Sequence, residues 1–522
     1  MIRVRRLILL GLAGTALATV SGAGCNGGAE TSAPTNARSL GDAPSAAAVR
    51  AREASLPRTE TIVTPAGTFY AKPYLQLGNF AAPSGATESL LLVWQAPVTD
   101  IDVWSVETRP AGTGPWKHAV ARAEPDDERV VAVPGVERHR VIRVPLTGLV
   151  PGALFDYRVL KDHKPVFAAR ARARRAAGES HRFVAVGDTG AGTDAERKIV
   201  YQMSLAKPDL VVITGDIVYE RGRASEYQRN FFPVYNADTV SPTTGAPLLR
   251  STLVLAAPGN HDTAYRNLGT YPDGLAYFMY WSLPLNGPPL TAGAANTASL
   301  LGPDARQPAF LAASGSAYPR MANFSFDYGG AHWTVLDSNP YVNWSDPALS
   351  AWVAADLAAA KNANWRFVAF HHPPFSSARR HSEAQQMRVL SPVFEKGGVD
   401  MVWNGHVHNY QRSHPLRFTV KRGKDGVIRD PDGRVDGDFA IDKSFDGKTQ
   451  TRPDGIIYMV TGGGGAGLHD TGTENAPKTW LPFTAKYVGA HTFTVVDVED
   501  HRLTVSQIDG SGKERDHFVV TK

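Results

Sequence analysis

The sequence predicts a two-domain protein in which an all-β domain precedes a larger α/β domain. The chain has 522 residues, which is too long for a single hydrophobic core. Between about residues 61 and 175, short strands are separated by turns without helical periodicity. From His181 onward, short apolar strands alternate with helical stretches, as in α/β domains. We therefore place the all-β domain at residues 57–178 and the α/β domain at residues 179–522.

The all-β domain is predicted to be a β-sandwich, because regularly spaced strands occur without intervening helices. The segment 146–152, followed by Phe155 and Tyr157, resembles a fibronectin type III domain. Such domains carry a tyrosine at the position of Phe155, which has no hydroxyl group. The predicted strands lie at 90–94, 102–106, 138–144 and 154–159.

Four arginines end this domain, at positions 170, 172, 174 and 175. They are open to two interpretations, a basic binding patch or the solvent-facing side of the last strand with its linker. We favour the second, since alternate residues of a strand share one face.

In the α/β domain we predict strands at 183–186, 210–213, 252–256, 365–370 and 399–403. Predicted helices lie at 194–206, 347–361 and 382–396, the second one starting at Asp346 and Pro347. Segments 271–319 and 422–454 are rich in glycine and other turn-forming residues, and we interpret them as insertions. The end of the chain, 492–520, is predicted to form strands.

Side chains that commonly bind metal ions follow five of the predicted strands. Because carboxyl ends of strands form the sites of α/β sheets, these side chains are expected to meet. Oxygen and nitrogen ligands without thiolate suit iron(III), manganese or zinc. A shared carboxylate holds two cations about 3.5–4 Å apart, and such a pair generates hydroxide and clamps a phosphoryl group. The segments are Gly187-Asp188-Thr189-Gly190, Gly215-Asp216-Ile217-Val218-Tyr219, Gly259-Asn260-His261-Asp262, His371-His372-Pro373-Pro374 and Gly405-His406-Val407-His408.

These five segments resemble the metallophosphoesterase signature, and Tyr219 in Gly-Asp-x-x-Tyr resembles the purple acid phosphatase subgroup. The resemblance implies a four-layer α/β/β/α catalytic domain with a dinuclear centre of iron(III) and a divalent zinc, manganese or iron ion. It implies that Asp216 bridges the two metals. The implied iron(III) ligands are Asp188, Tyr219 and His408, and the implied divalent-site ligands are Asn260, His371 and His406.

The resemblance also implies the reaction, which is hydrolysis of phosphate monoesters by hydroxide at the metal pair. His261 follows a ligand and would contact phosphate oxygens or protonate the leaving oxygen. His381 lies at the spacing of a second such histidine in the plant enzymes. The family places the ligand two residues before a proline, which selects His371 and leaves His372 to face the substrate or to support the ligands.

Two other functions remain open on the sequence alone. One is a phosphodiesterase of the same superfamily that acts on nucleotides or phospholipids. The other is a surface binding module with a degenerate metal site, which intact residues at all seven ligand positions disfavour. Asp262, Asp337 and Asn404 are candidates for orienting the ligands, or for turns and caps.

The N-terminus predicts export. Arg3, Arg5 and Arg6 precede an apolar stretch and then small residues, the order of a secretory signal at 1–24. The only cysteine, Cys25, follows directly and is expected to be lipidated, with plain signal cleavage as the alternative. Residues 25–56 are expected to form a flexible tether. The protein would then be a bacterial lipoprotein at the membrane, periplasm or cell surface, or be secreted.

Partners are predicted from the charge and the motifs. The formal net charge is +5, which suits anionic substrates. No nucleic-acid-binding motif occurs in the sequence, so a phosphate ester is the expected ligand. The sequence predicts no oligomeric state.

Overall fold

The computed structural model describes residues 59–82, 85–98, 103–120, 128–290, 296, 298–423, 428–429 and 433–522. These residues belong to one compact unit. The predicted signal peptide, Cys25 and the tether to residue 56 lie outside the described residues. The boundary at 178/179 stays a prediction.

The N-terminal part is a β-sandwich of two antiparallel four-stranded sheets, as the sequence predicts. The strand orders are β1-β2-β6-β5 and β4-β3-β7-β8. Trp94 and Trp104, one from each sheet, contact across the interior with ring centroids 5.6 Å apart. The strands are β1 Ala71–Gln76, β2 Glu88–Pro97, β3 Trp104–Pro110, β4 Lys117–Val120, β5 Glu128–Val131, β6 His139–Leu149, β7 Leu154–Lys161 and β8 Lys164–Arg172.

The remainder contains two large mixed sheets with strand orders β13-β10-β9-β23-β24-β25 and β14-β15-β16-β17-β21-β18-β22. Two hairpins, β11-β12 and β19-β20, stand apart from them. The strands are β9 His181–Val186, β10 Leu210–Ile213, β11 Asn236–Ser241, β12 Gly245–Pro247, β13 Leu253–Ala256, β14 Phe324–Tyr328, β15 Ala331–Val335, β16 Trp365–Ala369, β17 Met401–Asn404, β18 Tyr410–Ser413, β19 Leu416–Val420, β20 Gly437–Ile441, β21 Ile457–Thr461, β22 Thr484–Val488, β23 Thr492–Val498, β24 Arg502–Asp509 and β25 Glu514–Thr521.

Short helices connect many of these strands. The α-helices are α1 Asp194–Ala206, α2 Ala224–Glu226, α3 Phe232–Tyr235, α4 Asn260–Thr263, α5 Tyr277–Tyr280, α6 Gln307–Ser314, α7 Pro347–Ala359 and α8 Ser391–Lys396. A π-helix spans Tyr227–Phe231, and 3-10 turns occupy Asp304–Arg306, Gly315–Ala317, Arg320–Ala322, Gln386–Leu390, Thr471–Asn475 and Pro477–Thr479.

The two large sheets pack face to face, and helices cover their outer faces. Phe183 of β9 contacts Trp333, Phe367 and Trp403 of the opposite sheet, at centroid distances of 5.0, 5.5 and 5.4 Å. Helix α1 buries one apolar face beside β23, and α7 packs its apolar face on the other sheet. The four-layer α/β/β/α order that the resemblance implied is therefore present.

Local signals explain where the two long helices begin. The Thr193 side chain accepts a hydrogen bond from the Glu196 N–H at 3.1 Å and so caps α1. Asp346 caps α7 in the same way by accepting from Ala348 N–H at 2.7 Å, and Pro347 occupies the first helical position. Both starts agree with the sequence-based prediction.

The predicted helix at 382–396 is wrong over its first half. Residues 386–390 form a 3-10 turn, and α8 covers only Ser391–Lys396. Pro392 gives the reason, because its ring tolerates the first turn of a helix but would clash with a preceding turn. The α-helix therefore starts just before Pro392.

The arginine run at the end of β8 is not a solvent-facing strip. Arg174 is 1% exposed and donates to both carboxylate oxygens of Glu88 at 2.7 and 2.8 Å. Arg172 and Arg175 pair with Asp209 at 2.9 and 3.1 Å. Arg174 therefore anchors the end of the sandwich internally, and Arg172 and Arg175 join it to the α/β part.

Part of segment 271–319, which the sequence predicts to be an insertion, packs in the interior. Its helix α5 is fully buried, and the Tyr74 hydroxyl of the sandwich donates to the Tyr280 carbonyl at 2.7 Å. Arg143 donates to the Met279 carbonyl at 2.8 Å. This segment thus fills the contact between the sandwich and the α/β part. No helix in the described parts of the chain is long and apolar enough to cross a membrane.

Candidate metal centre

The five predicted segments follow β9, β10, β13, β16 and β17 and converge at one edge of the two facing sheets. The parallel pairing of β9, β10 and β13, and of β16 and β17, brings their carboxyl ends together. The structure therefore brings together all seven predicted metal ligands, in two groups that share Asp216.

The first group contains Asp188, Tyr219 and His408. The Tyr219 hydroxyl oxygen lies 2.9 Å from Asp188 Oδ1 and 3.1 Å from His408 Nε2. His408 Nε2 lies 3.2 Å from Asp188 Oδ1. Three ligand-type atoms thus surround one point.

The second group contains Asp216, Asn260, His371 and His406. His371 Nε2 lies 3.1 Å from Asn260 Oδ1 and 3.1 Å from Asp216 Oδ2. Asp216, His371 and His406 each offer an atom to a cluster in which these atoms lie within 4.8 Å of one another. Asp216 Oδ2 also lies 3.1 Å from the Tyr219 hydroxyl, so this carboxylate belongs to both groups.

Hydrogen bonds fix which ring nitrogen each histidine turns to the centre. Nδ1 of His371 bonds the Thr214 carbonyl at 2.9 Å, and Nδ1 of His408 bonds the Gly467 carbonyl at 2.5 Å. Each Nδ1 must then carry a proton, which leaves each Nε2 as the atom facing the carboxylates. The Nε2 atoms and the carboxylate oxygens that face them each have a lone pair that can bind a cation. The residues present therefore fit a pair of metal ions.

The electrostatics of the centre favour protons on two of the predicted ligands and a neutral ring on a third. Burial lowers the pKa of His371, but the carboxylates of Asp216 and Asp188 outweigh it and raise the pKa to about 9. Burial, with Asp188 and Asp216 beside it, raises the pKa of Tyr219 well above its ordinary value. Burial and neighbouring histidines hold the pKa of His406 well below its usual range, so that imidazole is neutral. A cation would displace the first two protons and meet His406 ready to bind.

The backbone at the centre is held in tight turns. Asp188, Asp216 and His406 have φ values of 60, 52 and 68°, the left-handed region that costs a non-glycine residue roughly 1–2 kcal/mol. Side-chain bonds hold these turns, since Asp188 Oδ2 accepts from the His406 N–H at 2.8 Å. At Gly215, φ is +95° and an added Cβ would lie 2.6 Å from His371 Nδ1. Only glycine allows this approach.

The three predicted orienting residues lie around the ligands. Asp262 accepts backbone N–H groups of Gly259 and Ile217 at 2.8 and 3.1 Å and so ties two ligand loops together. Asn404 Nδ2 donates to the Phe370 carbonyl at 2.8 Å, which joins the ends of β16 and β17. Asp337 accepts from Asn339 N–H at 3.0 Å, behind the centre.

His261 lies at the mouth of the centre. Its Nδ1 bonds the Glu220 carbonyl at 2.7 Å, and its backbone N–H donates to Asp216 Oδ1 at 2.8 Å. Its ring is 4.4 Å from the Tyr219 ring and its Nε2 lies 3.9 Å from Asp216 Oδ2. With 21% of its side chain exposed, His261 lies between the centre and solvent.

The two other predicted catalytic histidines lie on either side of His406. His372 is 4% exposed, its Nδ1 is 2.9 Å from the Ser338 hydroxyl oxygen, and its ring lies 4.3 Å from the His406 ring. It supports the ligand from the buried side. His381 lies 4.1 Å from the His406 ring and keeps 29% of its side chain exposed, so it faces the open side.

Four residues of the centre were missed by the sequence analysis. His469 stacks on His408 with ring centroids 3.8 Å apart, and its only signal is its place after the glycine-rich end of β21. An open cleft of about 940 Å³ adjoins the centre, and Tyr219, His261 and His408 line it. Arg221, Arg229 and Arg380 line it too, and nothing in the sequence distinguishes them from other surface arginines.

Comparisons with known proteins agree with this geometry. Residues 181–410 match the sequence profile of the family described as calcineurin-like phosphoesterase. Purple acid phosphatase 21 of Arabidopsis thaliana is 37% identical over 98 residues, which is 18% of this chain and 22% of the relative. Purple acid phosphatase 23 of the same plant is 25% identical over 292 residues, 50% of this chain and 55% of the relative.

The fold has a solved counterpart as well. The structure of purple acid phosphatase PPD1 from yellow lupin seeds superposes with a TM-score of 0.57 at 15% identity, covering 86% of this chain and 74% of that one. At this identity the likeness shows the fold alone. The curated relatives are matched over only 22% and 55% of their own lengths.

Proposed function

We propose that this chain, whose residues 181–410 match the calcineurin-like phosphoesterase family and which is similar to purple acid phosphatases, hydrolyses phosphate monoesters at a dinuclear metal centre. The single observation that carries this proposal is the position of Asp216. Its Oδ2 lies 3.1 Å from the Tyr219 hydroxyl oxygen and 3.1 Å from His371 Nε2. A carboxylate shared by two ligand groups is the arrangement that two-metal hydrolysis requires.

The ligands divide between two cations in this proposal. Asp188, Tyr219 and His408 would hold iron(III), Asn260, His371 and His406 would hold zinc, manganese or iron(II), and Asp216 would contribute to both sites. When bound, the cation pair supplies a water of lowered pKa as nucleophile and neutralises charge on the phosphoryl oxygens. The resemblance supports the metal assignment, and the all-oxygen-and-nitrogen donor set is compatible with it.

The protein residues position and protonate the substrate. His261 keeps its Nδ1 proton on the Glu220 carbonyl, so its Nε2 is the atom that meets the substrate. In the protonated ring, Nε2–H donates to the leaving oxygen as the P–O bond breaks. His381 faces the same open side and would contact phosphate oxygens. His372 acts through His406, which it packs against from the buried side.

The experiment compares a monoester with a diester. The purified protein, loaded with iron and zinc, is assayed on p-nitrophenyl phosphate and on bis(p-nitrophenyl) phosphate, before and after chelation. We expect faster turnover of the monoester, loss of activity on chelation, and recovery when metals are restored. Faster turnover of the diester would support the phosphodiesterase alternative. Hydrolysis of neither compound, in protein shown to contain both metals, would overturn the proposal.

We also propose that the protein is exported and held at a membrane through a lipid on Cys25. The basic, apolar and small residues before Cys25 support this. Expressed in a bacterial host, the protein should fractionate with membranes, and Cys25→Ser should release it into the soluble exported fraction. Recovery of the unaltered protein and of Cys25→Ser in the cytosol would contradict export. Equal amounts of the two proteins in the soluble exported fraction would contradict lipidation.

A further inference from the structure

Arg221 is held in one orientation at the edge of the cleft. Its guanidinium lies 4.4 Å from the Tyr265 ring centroid, and its Nε donates to the Tyr271 hydroxyl at 3.3 Å. Its Nη1 donates to the Glu220 carbonyl at 2.8 Å. Stacking and two hydrogen bonds fix a planar guanidinium. Within the described part of the chain, Nη2 donates to no protein acceptor and remains available to a ligand.

This arginine stands directly beyond the proposed proton donor. The Glu220 carbonyl that accepts from Arg221 also bonds His261 Nδ1, at 2.7 Å, so the two side chains share one acceptor. Three aromatic rings lie in a row from the centre outward, in the order Tyr219, His261 and Tyr265. Their successive ring centroids are 4.4 and 5.6 Å apart. A group that leaves past His261 therefore moves toward the guanidinium of Arg221.

The same cleft carries more positive charge than its carboxylates neutralise. Arg229 and Arg380 also line it, and among the described residues neither forms an ion pair with a carboxylate. The carboxylate of Glu226 already accepts hydrogen bonds from the backbone N–H groups of Glu220 and Arg221, at 2.7 and 3.0 Å. Glu220 lies 3.5 Å from Arg221 Nη1, but its side chain is 73% exposed. A bound anion is what such a surface suits.

We propose that Arg221, with Arg229 and Arg380, binds a second phosphate group carried by the leaving part of the substrate. The inference rests on the proposed function and names its substrate class: phosphate esters whose leaving group is itself phosphorylated. The Nη2 group of Arg221 can donate charge-assisted hydrogen bonds to phosphate oxygens. Fixing Arg221 before binding reduces the entropy that this contact costs.

The test uses a matched pair of substrates, propane-1,3-diol monophosphate and propane-1,3-diol bisphosphate. Their leaving groups differ only by the second phosphate. With the metal-loaded full chain, kcat/KM should be about tenfold or more higher for the bisphosphate. That exceeds the twofold advantage that two equivalent phosphates give. Arg221→Gln should collapse the ratio toward two, and Arg221→Lys should restore part of it, because lysine keeps the charge but lacks the planar guanidinium that Tyr265 and the two hydrogen bonds hold in place.

A control removes one positive charge elsewhere. Arg417→Gln changes a half-exposed arginine that pairs with Asp454 outside the cleft, and the ratio should stay as in the unaltered protein. Metal content is measured for each variant. A bisphosphate preference of twofold or less, or an equal fall in Arg417→Gln, overturns the inference while leaving the monoesterase intact. If neither substrate is hydrolysed, the proposed function fails and the inference falls with it.

Discussion

The Asp216 carboxylate lies 3.1 Å from the Tyr219 hydroxyl oxygen, through the same Oδ2 that lies 3.1 Å from His371. One oxygen is therefore shared by an oxygen-rich group and a nitrogen-rich group. The two neighbours of this oxygen, Tyr219 and His371, both have raised pKa values, so both favour their protonated forms. Cations bound here would replace these protons, and Asp216, Tyr219 and His371 would serve as ligands.

Replacing the shared carboxylate should remove metal pairing and activity together. Asp216→Asn keeps the size of the side chain but loses the charge that two cations need, so kcat should fall by about a thousandfold or more. Metal analysis of the purified variant should show less than two metals per chain. Asp454→Asn, at an exposed site, serves as the control. Full activity with both metals bound would contradict the bridging assignment.

Replacing His261 should slow turnover without loss of metal. His261→Gln removes the proton that Nε2 would donate, which is worth about 10²–10⁴ in rate. The loss should be larger for an alkyl phosphate than for p-nitrophenyl phosphate, whose leaving group needs little protonation. His517→Gln, at an exposed histidine, is the control. Equal losses for both substrates, or a parallel loss of metal, would make His261 structural.

A buried histidine far from the cleft should make stability depend on pH. His332 lies between Asp327 and Asp356, at 2.7 and 3.1 Å. Burial lowers the pKa of His332, but these two carboxylates outweigh it and raise the pKa to about 9, from 6.5. The folded protein thus holds this proton more tightly than the unfolded chain. Its stabilisation is complete below about pH 6.5 and is lost as pH rises through about 9.

Urea unfolding of the unaltered protein and of His332→Gln measures this effect. The difference in unfolding free energy should be about 1–3 kcal/mol at pH 6 and should shrink at pH 9.5. A difference that is constant across this range would show that His332 contributes through packing alone.

The buried pair of Arg174 and Glu88 should be costly to break. Arg174→Ala leaves Glu88 buried without its partner, so the unfolding free energy should drop by about 3–5 kcal/mol. The double variant Glu88→Gln with Arg174→Met should be more stable than Arg174→Ala, since no charge is then buried. Arg197→Ala, in an exposed pair with Asp194, should cost at most about 1 kcal/mol. Equal effects at Arg174 and Arg197 would contradict the role of burial.

The strand ends and turns that carry the predicted ligands could be predicted because their signals are local. Short apolar runs followed by Gly-Asp or His-x-His mark a strand and the turn after it, and parallel pairing then brings the turns together. The start of α7 was predictable for the same reason, since Asp346 and Pro347 act within one turn.

Features that depend on distant partners were not predictable. Arg174 looks like part of a surface run because its partner, Glu88, lies 86 positions earlier. The stacking of Arg221 on Tyr265 and of His469 on His408 likewise depends on loops that meet only in the fold. The helix at 382–396 failed because Pro392 blocks continuation through residues of otherwise helical composition.

The most direct test of the metal centre is the visible absorption spectrum of the purified, air-oxidised protein, recorded with its iron content. We expect a broad tyrosinate-to-iron(III) band that disappears in Tyr219→Phe while iron remains bound through Asp188 and His408. A colourless protein that is fully active with manganese or zinc alone would keep the metallophosphoesterase chemistry but contradict the iron(III)–Tyr219 centre.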